Sequence, residues 1–364
     1  MEQMQQGAES KEQGVRRGSR WAVPTTSNLK FQVNRGLHRF AVLTAGATFV
    51  LIFMGGLVTS TGSGLAVPDW PLSFGQVFPP MVGGVLYEHG HRMMAALVGL
   101  LTTILAVWIY LRDPRGWVRG LGVAALMAII LQGLLGGLTV LLLLPTPVSV
   151  AHACLAQGFF CLTVALAVFT GPGWRERYGS VGKQENRGPR AVSPTPPRSR
   201  PPLLSLTQWG ALTTAVIYIQ LILGAVMRHM GAGLAIPDFP LAYGRLVPPL
   251  ESEAIFVHFL HRLGALLVTL CVVWTFLRVA RHHRQGPVLL RPASLLVVLL
   301  VIQVTLGAFT IWTLKAVLPT TAHVAVGAAL LATSLVLTLR AHRLPASPKF
   351  ATNLGFVSSK EVPA

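Results

Sequence analysis

Cysteine and acidic residues are scarce in this chain. Of its 364 residues, 3 are cysteine and 12 are aspartate or glutamate. All three cysteines lie in apolar stretches, and none forms a CxxC pair: Cys154, Cys161 and Cys271. This pattern excludes a thiolate metal site, and it predicts no structural disulfide even if the loops face an oxidising compartment. We expect the three to be small, buried core residues.

Charge of either sign is also sparse, since 12% of the residues are charged and 52% are hydrophobic. Eight apolar stretches result, at residues 41–59, 92–111, 121–144, 150–170, 207–227, 258–279, 293–314 and 320–339. At about 1.5 Å per residue, each can cross a hydrocarbon core of roughly 30 Å. Backbone in lipid must satisfy its own hydrogen bonds, so these stretches are predicted to be transmembrane helices of an all-α, polytopic membrane protein.

The few charges are segregated by side. Eight spans put both termini and every second loop on the same side, which then holds 25 of the 30 lysines and arginines. The other five are Arg92, Arg228, Arg245, Arg262 and Lys315. This positive-inside asymmetry predicts a cell-membrane protein with both termini in the cytoplasm. It also accounts for the net charge of +18 without a nucleic-acid partner, and we predict none.

The chain contains an internal repeat. Residues 62–80 and 231–249 are identical at 11 of 19 positions, at an offset of 169. Further matches follow in the same order: His91-Arg92 with His261-Arg262, Gln132 with Gln303, and Ala151-His152 with Ala322-His323. The duplication predicts two four-helix bundles of like orientation, related by a pseudo-two-fold axis along the membrane normal.

The predicted division of the chain follows from this repeat. Residues 41–170 form the N-terminal four-helix repeat and residues 207–340 the C-terminal one. Residues 171–206 are rich in proline, glycine, serine and arginine, which predicts a flexible cytoplasmic linker. Residues 1–40 and 341–364 are predicted to be cytoplasmic tails, and we do not expect the polar N-terminal tail to be a signal peptide.

Four histidines recur at matching positions inside the apolar stretches: His91, His152, His261 and His323. Each half contributes one from its second helix and one from its fourth, at a similar depth. Two facing neutral imidazoles in a four-helix bundle are what a haem iron takes as axial ligands. A lone intramembrane histidine is more often a hydrogen-bonding or proton-relay group, but two duplicated pairs favour haem. Zinc fits less well, because no third ligand recurs beside each pair.

The two halves differ three residues before the first histidine, where Glu88 corresponds to His258. At this spacing each residue shares a helix face with the ligand that follows it and points into the same pocket, so we expect His258 to contribute to cofactor binding. Two interpretations of Glu88 stay open. It is an acid–base group that makes one pocket reactive, or it is an interfacial partner of Arg92.

The arginines and loops beside the histidines also allow two interpretations each. Arg92 and Arg262 could bind haem propionates or extend to the membrane interface. The repeated loops around Asp69 and Asp238 could cover the two pockets, or their prolines and glycines could simply fix turns.

These residues together resemble the haem A synthase family, over about residues 38–340. The resemblance is carried by the repeated loop, by Glu88-x-x-His91-Arg92 with His152, and by His258-x-x-His261-Arg262 with His323. It implies an oxidoreductase that converts haem O to haem A by successive hydroxylations of a ring methyl to a formyl, for terminal oxidase assembly. It further implies that His91 and His152 receive the substrate haem with Glu88 as the catalytic carboxylate, and that His261 and His323 ligate a haem b.

The resemblance implies a haem O synthase and an electron donor as partners, and the chain could form a homo-oligomer. Many family members carry two cysteines in the first loop, where this chain has Val67 and Ser73. Two other functions stay open from the residues alone: a non-catalytic di-haem b-type electron-transfer subunit and a haem-delivery assembly factor. Glu88 separates these from the enzyme, because an electron carrier needs no acid in one pocket only.

Overall fold

The computed structural model describes residues 34–172, 174, 204–283 and 286–343. These residues contain eight helices long and apolar enough to span a membrane. They are α1 (Arg35–Ser60), α2 (Gly84–Arg112), α3 (Gly116–Leu141), α4 (Thr146–Thr170), α5 (Leu206–His229), α6 (Glu253–His282), α7 (Pro287–Trp312) and α8 (Val317–His342). The predicted all-α, polytopic membrane fold is confirmed. The predicted tails up to residue 33 and from residue 344, and most of the predicted linker, lie outside the described residues.

All eight helices begin before the apolar stretch that indicated them. Helix α2 begins at Gly84 rather than residue 92, and its 29 residues give a length of about 43 Å. This exceeds a hydrocarbon core of roughly 30 Å, so the helix continues among polar residues beyond the apolar region. A hydropathy pattern shows which residues are apolar enough to lie in the hydrocarbon core, but it does not show where the helix begins or ends. As a consequence, His91 lies two turns inside α2 and not at its first residue.

Two helices end before their apolar stretch does. After α3, Leu143 and Leu144 have φ angles of 59° and 60°, and after α7, Leu314 and Lys315 have φ angles of 53° and 65°. A right-handed helix cannot continue through left-handed residues, so the chain turns while its sequence is still apolar.

Polar residues fix several helix starts. The Asn34 side chain accepts a hydrogen bond from the Leu37 amide at the start of α1, and Ser252 does the same for Ile255 at the start of α6. Ser205 and Gln208 form a reciprocal capping box at the start of α5. Each cap satisfies an amide that has no partner within the helix.

Each half has its own apolar core, and the halves meet through four helices. Leu37, Val98 and Leu166 are among the buried residues of the first core, and Ile217, Val272 and Leu331 of the second. Between the halves, α1 packs against α8, and α4 packs against both α5 and α8. Many large apolar side chains are exposed on the outer faces, as expected where lipid is the solvent.

The long connections after α1 and α5 lie at the same end of the bundle, which we call the loop end. It comprises residues 61–83 and 230–252, the second containing a 3₁₀ turn at Ala232–Leu234. The halves are hydrogen-bonded there, because the Thr146 hydroxyl donates to the His229 carbonyl (3.2 Å) and the Thr321 hydroxyl to Ser60 Oγ (3.0 Å). The loop end of each half is therefore held against the other.

Candidate functional site

Each of the four predicted histidines packs its ring against a glycine of the preceding helix. A Cβ added to that glycine would lie 3.0–3.2 Å from Cε1 of the imidazole, closer than a normal contact. The pairs are Gly55 with His91, Gly136 with His152, Gly224 with His261, and Gly307 with His323. Gly55 corresponds to Gly224 and Gly136 to Gly307 in the repeat. The close approach of each ring therefore favours glycine at these four positions, because a side chain there would displace the imidazole.

The histidines form the two predicted pairs. His91 lies within electrostatic range of His152, and His261 within range of His323. Each pair joins the second and fourth helices of its half, and each imidazole is partly buried. No group of three or more histidine, cysteine or acidic side chains that could hold a metal ion occurs in the described residues. The donor set in each pocket is thus two imidazoles.

Glutamines orient three of the imidazoles. The Gln303 carbonyl lies 3.1 Å from Nδ1 of His323, and its side-chain amide lies 3.3 Å from Nε2. In the repeat-equivalent position, the Gln132 amide donates to the His152 carbonyl (3.0 Å) and lies 3.4 Å from Nε2. A proton on His323 Nδ1, donated to the Gln303 carbonyl, leaves the lone pair on Nε2. The Gln303 side-chain amide contacts that nitrogen, and a metal would take its place.

The second half has an additional glutamine, Gln220, which the sequence analysis missed. Its amide donates to the His261 carbonyl (2.8 Å) and lies 3.0 Å from Nδ1 of the same residue. The corresponding residue of the first half is Leu51, so the two pockets differ here. A polar amide in the middle of an apolar helix was the available signal.

These residues fit a haem with two axial imidazoles in each half. The rings are paired across a four-helix bundle, and glycines make room beside them. In the first half, Nδ1 of His91 and Nδ1 of His152 are buried, and the two imidazoles interact with the backbone of Leu51 and Gln132, as His323 does with that of Gln303. This arrangement suits metal binding through Nε2.

Glu88 is buried and bound on both oxygens. Its Oε1 accepts a hydrogen bond from Arg92 Nη2 at 2.6 Å, and its Oε2 accepts one from the Val67 amide at 2.9 Å. Glu88 as a whole is 4% exposed. The structure therefore brings Glu88 and Arg92 together, as one interpretation of the sequence requires. The acid–base role stays a prediction.

His258 makes the equivalent loop contact in the second half. Its Nδ1 accepts a hydrogen bond from the Ile236 amide at 3.2 Å, and Ile236 corresponds to Val67. Both side chains thus hold the same loop position, although Glu88 carries a formal charge there and a neutral imidazole does not. The haem-binding role predicted for His258 stays a prediction.

Arg92 and Arg262 fasten the two loops to α2 and α6. Arg92 Nη1 donates to the carbonyls of Asp69 (2.7 Å) and Leu72 (2.9 Å). Arg262 donates to the carbonyls of Leu241 (2.8 Å), Asp238 (2.7 Å) and Ile236 (3.2 Å). Both guanidinium groups are therefore hydrogen-bonded to the loops and do not extend away from them. Propionate binding by Arg92 and Arg262 stays a prediction.

One buried polar pair of the first half, Ser73 with His89, has no counterpart at the corresponding positions of the second half. Ser73 Oγ lies 2.8 Å from Nδ1 of His89, and both residues are buried. The corresponding residues of the second half are Ala242 and Phe259. The sequence analysis missed this pair, although a second histidine beside His91 was a visible difference between the halves.

The loops fold on their aspartates and reach over the neighbouring helices. Asp69 accepts hydrogen bonds from the amides of Gly75 (2.8 Å) and Phe74 (2.7 Å). The Gly75 bond, followed by the Phe74 bond, lowers the pKa of this carboxyl below its usual value. The Trp70 indole lies so close to Gly137 of α3 that a Cβ there would come within 2.7 Å of the ring. The first loop thus covers α3 beside Gly136 and His152.

The second loop is built in the same way. Asp238 accepts hydrogen bonds from the amides of Gly244 (2.8 Å) and Tyr243 (2.7 Å), and the Gly244 bond is the main cause of its lowered pKa. The Phe239 ring packs edge-on against Trp312 of α7, with ring centroids 6.2 Å apart. Both predicted lid loops therefore contact the third helix of their half.

Comparison with known proteins gives a consistent result. The sequence model of the COX15-CtaA family, described as "Cytochrome oxidase assembly protein", matches residues 38–85 and 83–335. A "Heme A synthase" of Shouchella clausii is 31% identical over 292 residues, covering 79% of this chain and 90% of that protein. One of Symbiobacterium thermophilum is 30% identical over 279 residues, covering 75% and 85%. One of Halalkalibacterium halodurans is 32% identical over 266 residues, covering 70% and 80%.

The family match includes both loops, both histidine pairs and Glu88, and it spans far more than half of the chain. The resemblance found from the motifs is thereby confirmed, and the chain belongs to the COX15-CtaA family of cytochrome oxidase assembly proteins, the family of the haem A synthases.

Proposed function

We propose that this protein is a haem A synthase, a membrane enzyme of haem biosynthesis that acts on haem O and yields haem A for cytochrome oxidase assembly. The observation that carries the proposal is the duplicated two-histidine pocket with a buried carboxylate in one half only. The names of relatives that cover most of the chain support the same activity.

The finer division of labour follows from the differences between the halves. The N-terminal repeat, residues 41–170, receives haem O through His91 and His152, and the C-terminal repeat, residues 207–340, holds a haem b through His261 and His323. The support is that only the first pocket has Glu88 beside its histidine, whereas only the second has Gln220 on its imidazole. A pocket for a resident haem needs well-oriented ligands, and a reacting pocket needs a group that exchanges protons.

The protein's own residues then have distinct tasks in an oxidation of the ring methyl. His91 and His152 bind and orient the substrate, and the first loop, with Trp70 on α3, excludes water from it. Glu88 accepts a proton at Oε1, where Arg92 now donates, while the Val67 amide keeps the carboxyl in place. When bound, haem iron supplies the redox chemistry. This makes the protein an oxidoreductase that needs an electron donor and, upstream, an enzyme that makes haem O.

The activity is tested by analysing the haems extracted from the purified protein. Haem O or haem A beside haem B supports the synthase, whereas haem B alone favours an electron-transfer subunit. Glu88→Gln keeps shape and polarity but cannot exchange a proton at neutral pH. We expect this variant to retain haem b, to accumulate haem O or a partly oxidised alcohol, and to make little haem A.

The matched control is His258→Gln, which changes the corresponding position of the other half. It should alter the haem b spectrum more than the yield of haem A. Haem A formation at the wild-type rate by Glu88→Gln would reduce Glu88 to a structural partner of Arg92.

The ligands of haem b are tested by His261→Ala and His323→Ala. Each variant loses one axial imidazole, so the low-spin bis-histidine spectrum should disappear from both. His91→Ala is the matched control, and it should keep that spectrum while haem A production falls. A full haem b content with an unaltered reduced α-band in both C-terminal variants would show that this haem is bound elsewhere.

A further inference from the structure

Arg228 has no assigned role, and its guanidinium group lies at the loop end of the second pocket. Arg228 follows Gly224 by four residues on α5, so it lies on the same helix face, one turn nearer the loop end. Gly224 is the glycine that contacts the His261 ring. Arg228 is therefore stacked along α5 directly beyond the position of that ligand.

Contacts with two other helices place this group beside the second ligand as well. Arg228 Nη2 donates to the Gly56 carbonyl (3.0 Å) and to Ser60 Oγ (2.8 Å) of α1. The same Ser60 Oγ accepts from Thr321, which precedes His323 on α8 by two residues. Arg228 also interacts electrostatically with His323. The charge is thus held among α1, α5 and α8, near both histidines of the pocket.

The positive charge of Arg228 has no negative partner in the described part of the chain. The two ion pairs there join Glu88 to Arg92 and Asp113 to Arg115. Arg228 donates only to neutral oxygens, and only through Nη2. A partly buried cation with neutral acceptors alone is unfavourable, and a guanidinium is shaped to bind a carboxylate through two nitrogens.

The other arginine of this pocket, Arg262, is already hydrogen-bonded to its loop. Both of its terminal nitrogens donate to loop carbonyls. Nε lacks a hydrogen-bond partner among the described residues in both arginines, but Arg228 also has a terminal nitrogen, Nη1, that makes no hydrogen bond there. Arg228 is therefore better suited than Arg262 to bind an anionic group of a ligand.

The first half has no such charge. The residue corresponding to Arg228 is Thr59, whose hydroxyl donates to the carbonyl of Gly55 at 3.0 Å. The two pockets thus share glycines and histidines, but the second has one more positive charge, at the position of Arg228.

We infer that Arg228 binds a propionate carboxylate of the haem held by His261 and His323 and raises the reduction potential of that haem. The inference rests on the proposed position of haem b. Reduction of the iron from ferric to ferrous adds one electron and lowers the positive charge of the haem by one. A fixed positive charge nearby, poorly screened by water, favours the reduced form. Arg228 is a positioning residue here, because it acts on the haem periphery and not on the reacting methyl.

The test compares Arg228→Gln with Arg245→Gln in the purified full-length protein. Arg245 is an exposed residue of the second loop, so its replacement removes the same charge from the same end of the molecule, but in contact with water. Haem content, the reduced α-band and the midpoint potential are measured by redox titration. We expect Arg228→Gln to keep the bis-histidine spectrum and to favour the ferric form about tenfold more than the wild type, which is 59 mV for one electron. Arg245→Gln should leave the midpoint unchanged.

Arg228→Lys separates charge from shape and serves if the glutamine variant fails to fold. Lysine keeps the charge without the two-nitrogen fork, so the midpoint should stay near that of the wild type while haem is lost faster on dilution in detergent. A haem-loaded Arg228→Gln protein with the midpoint of Arg245→Gln overturns the inference. A tenfold shift in Arg228→Lys also overturns it, because the charge would not be the cause.

Failure of the proposed function gives a different result. If His261→Ala and His323→Ala both keep haem b with an unaltered spectrum, the proposed position of the haem is wrong. If these two variants lose the bis-histidine spectrum but Arg228→Gln keeps the wild-type midpoint potential, only the present inference is wrong.

Discussion

Four glycines determine how closely the histidines approach the neighbouring helices. Gly136 and Gly307 occupy matching positions of the repeat, but only the structure shows that each touches an imidazole. A side chain at these positions would move the ring by a few tenths of an ångström. Ligand geometry tolerates little displacement, so these positions are sensitive although they bear no functional group.

Gly136→Ala is expected to impair the first pocket alone. The new methyl would lie 3.1 Å from Cε1 of His152 and displace the ring, with a loss of stability of about 1–3 kcal/mol. The ratio of haem A to haem O should fall, while haem b in the second half is retained. Extraction and quantification of the three haems from the purified variant measure this.

The control lies on the same helix, where a Cβ at Gly133 would meet nothing within 4 Å. Gly133→Ala should leave the haem ratio unchanged and stabilise α3 slightly, by about 1 kcal/mol or less. Equal loss of haem A in both variants would mean that the contact with His152 is unimportant.

Residues that differ between the halves were harder to predict than those that repeat. The four histidines and Glu88 were predicted, because chemistry-bearing residues in apolar helices are conspicuous. Gln220, Arg228 and the Ser73–His89 pair were not assigned a role. Their importance depends on which helix they face, and a single sequence does not show which helices are neighbours. Glu88 itself was predicted with two possible roles, and the structure shows its contact with Arg92.

Among the elements, the two loops respond to acid in a predictable direction. Their aspartates accept two amide hydrogen bonds each as carboxylates, which lowers the pKa of Asp69 and Asp238. A lowered pKa in the folded loop means that the stabilisation is complete above the unfolded pKa of about 3.9. It is lost as the pH falls through the lower, folded value. The loops should therefore be intact between about pH 5 and 7 and loosen only below about pH 4.

Limited proteolysis of the purified protein across this range measures the effect. Cleavage within residues 69–76 should rise only at the acid end for the wild type. Asp69→Asn should be cleaved faster at neutral pH and show little pH dependence. The two carboxylate oxygens of Asp69 each accept one amide hydrogen bond, whereas the asparagine side chain has a single acceptor oxygen and an NH2 group that only donates. Asp238→Asn is the control, and it should expose its own loop while the first loop stays protected. If the first loop is equally protected from proteolysis in the wild type and in Asp69→Asn at neutral pH, the Asp69 carboxylate does not stabilise this loop.

The helices were predicted from hydropathy, but their ends were not. All eight spans occur in the described residues, whereas α2 begins eight residues before its apolar stretch and α3 ends before its own. The extra turns of α2 are important for the site, because they contain Glu88 and His89. Hydropathy cannot detect them, since they are polar, and the left-handed residues after α3 are leucines without a sequence signal for a turn.

At the scale of the whole molecule, one scaffold holds two pockets that have diverged. The repeat preserves the glycines, the histidines and the arginine clamps of the loops. The polar differences near the pockets include Glu88 against His258, Leu51 against Gln220, and Thr59 against Arg228. Arg228 reaches Ser60 of the other half, so the junction between the repeats is built from these differences as well as from shared packing. Duplication thus supplied the two sites, and single substitutions made them unequal.

The orientation of this scaffold in the membrane decides which compartment the pockets face. Since 25 of the 30 lysines and arginines lie on the side of the termini, we propose that this side is cytoplasmic. A topology reporter fused after Ala364, or inserted between α2 and α3, should then give a cytoplasmic signal. The same reporter inserted within residues 75–85 should give an external one. All four histidines lie toward the loop end of their helices, so an external loop places both pockets near the outer surface. The opposite reporter pattern would place both pockets near the cytoplasm and reverse the direction from which haem and electrons must reach them.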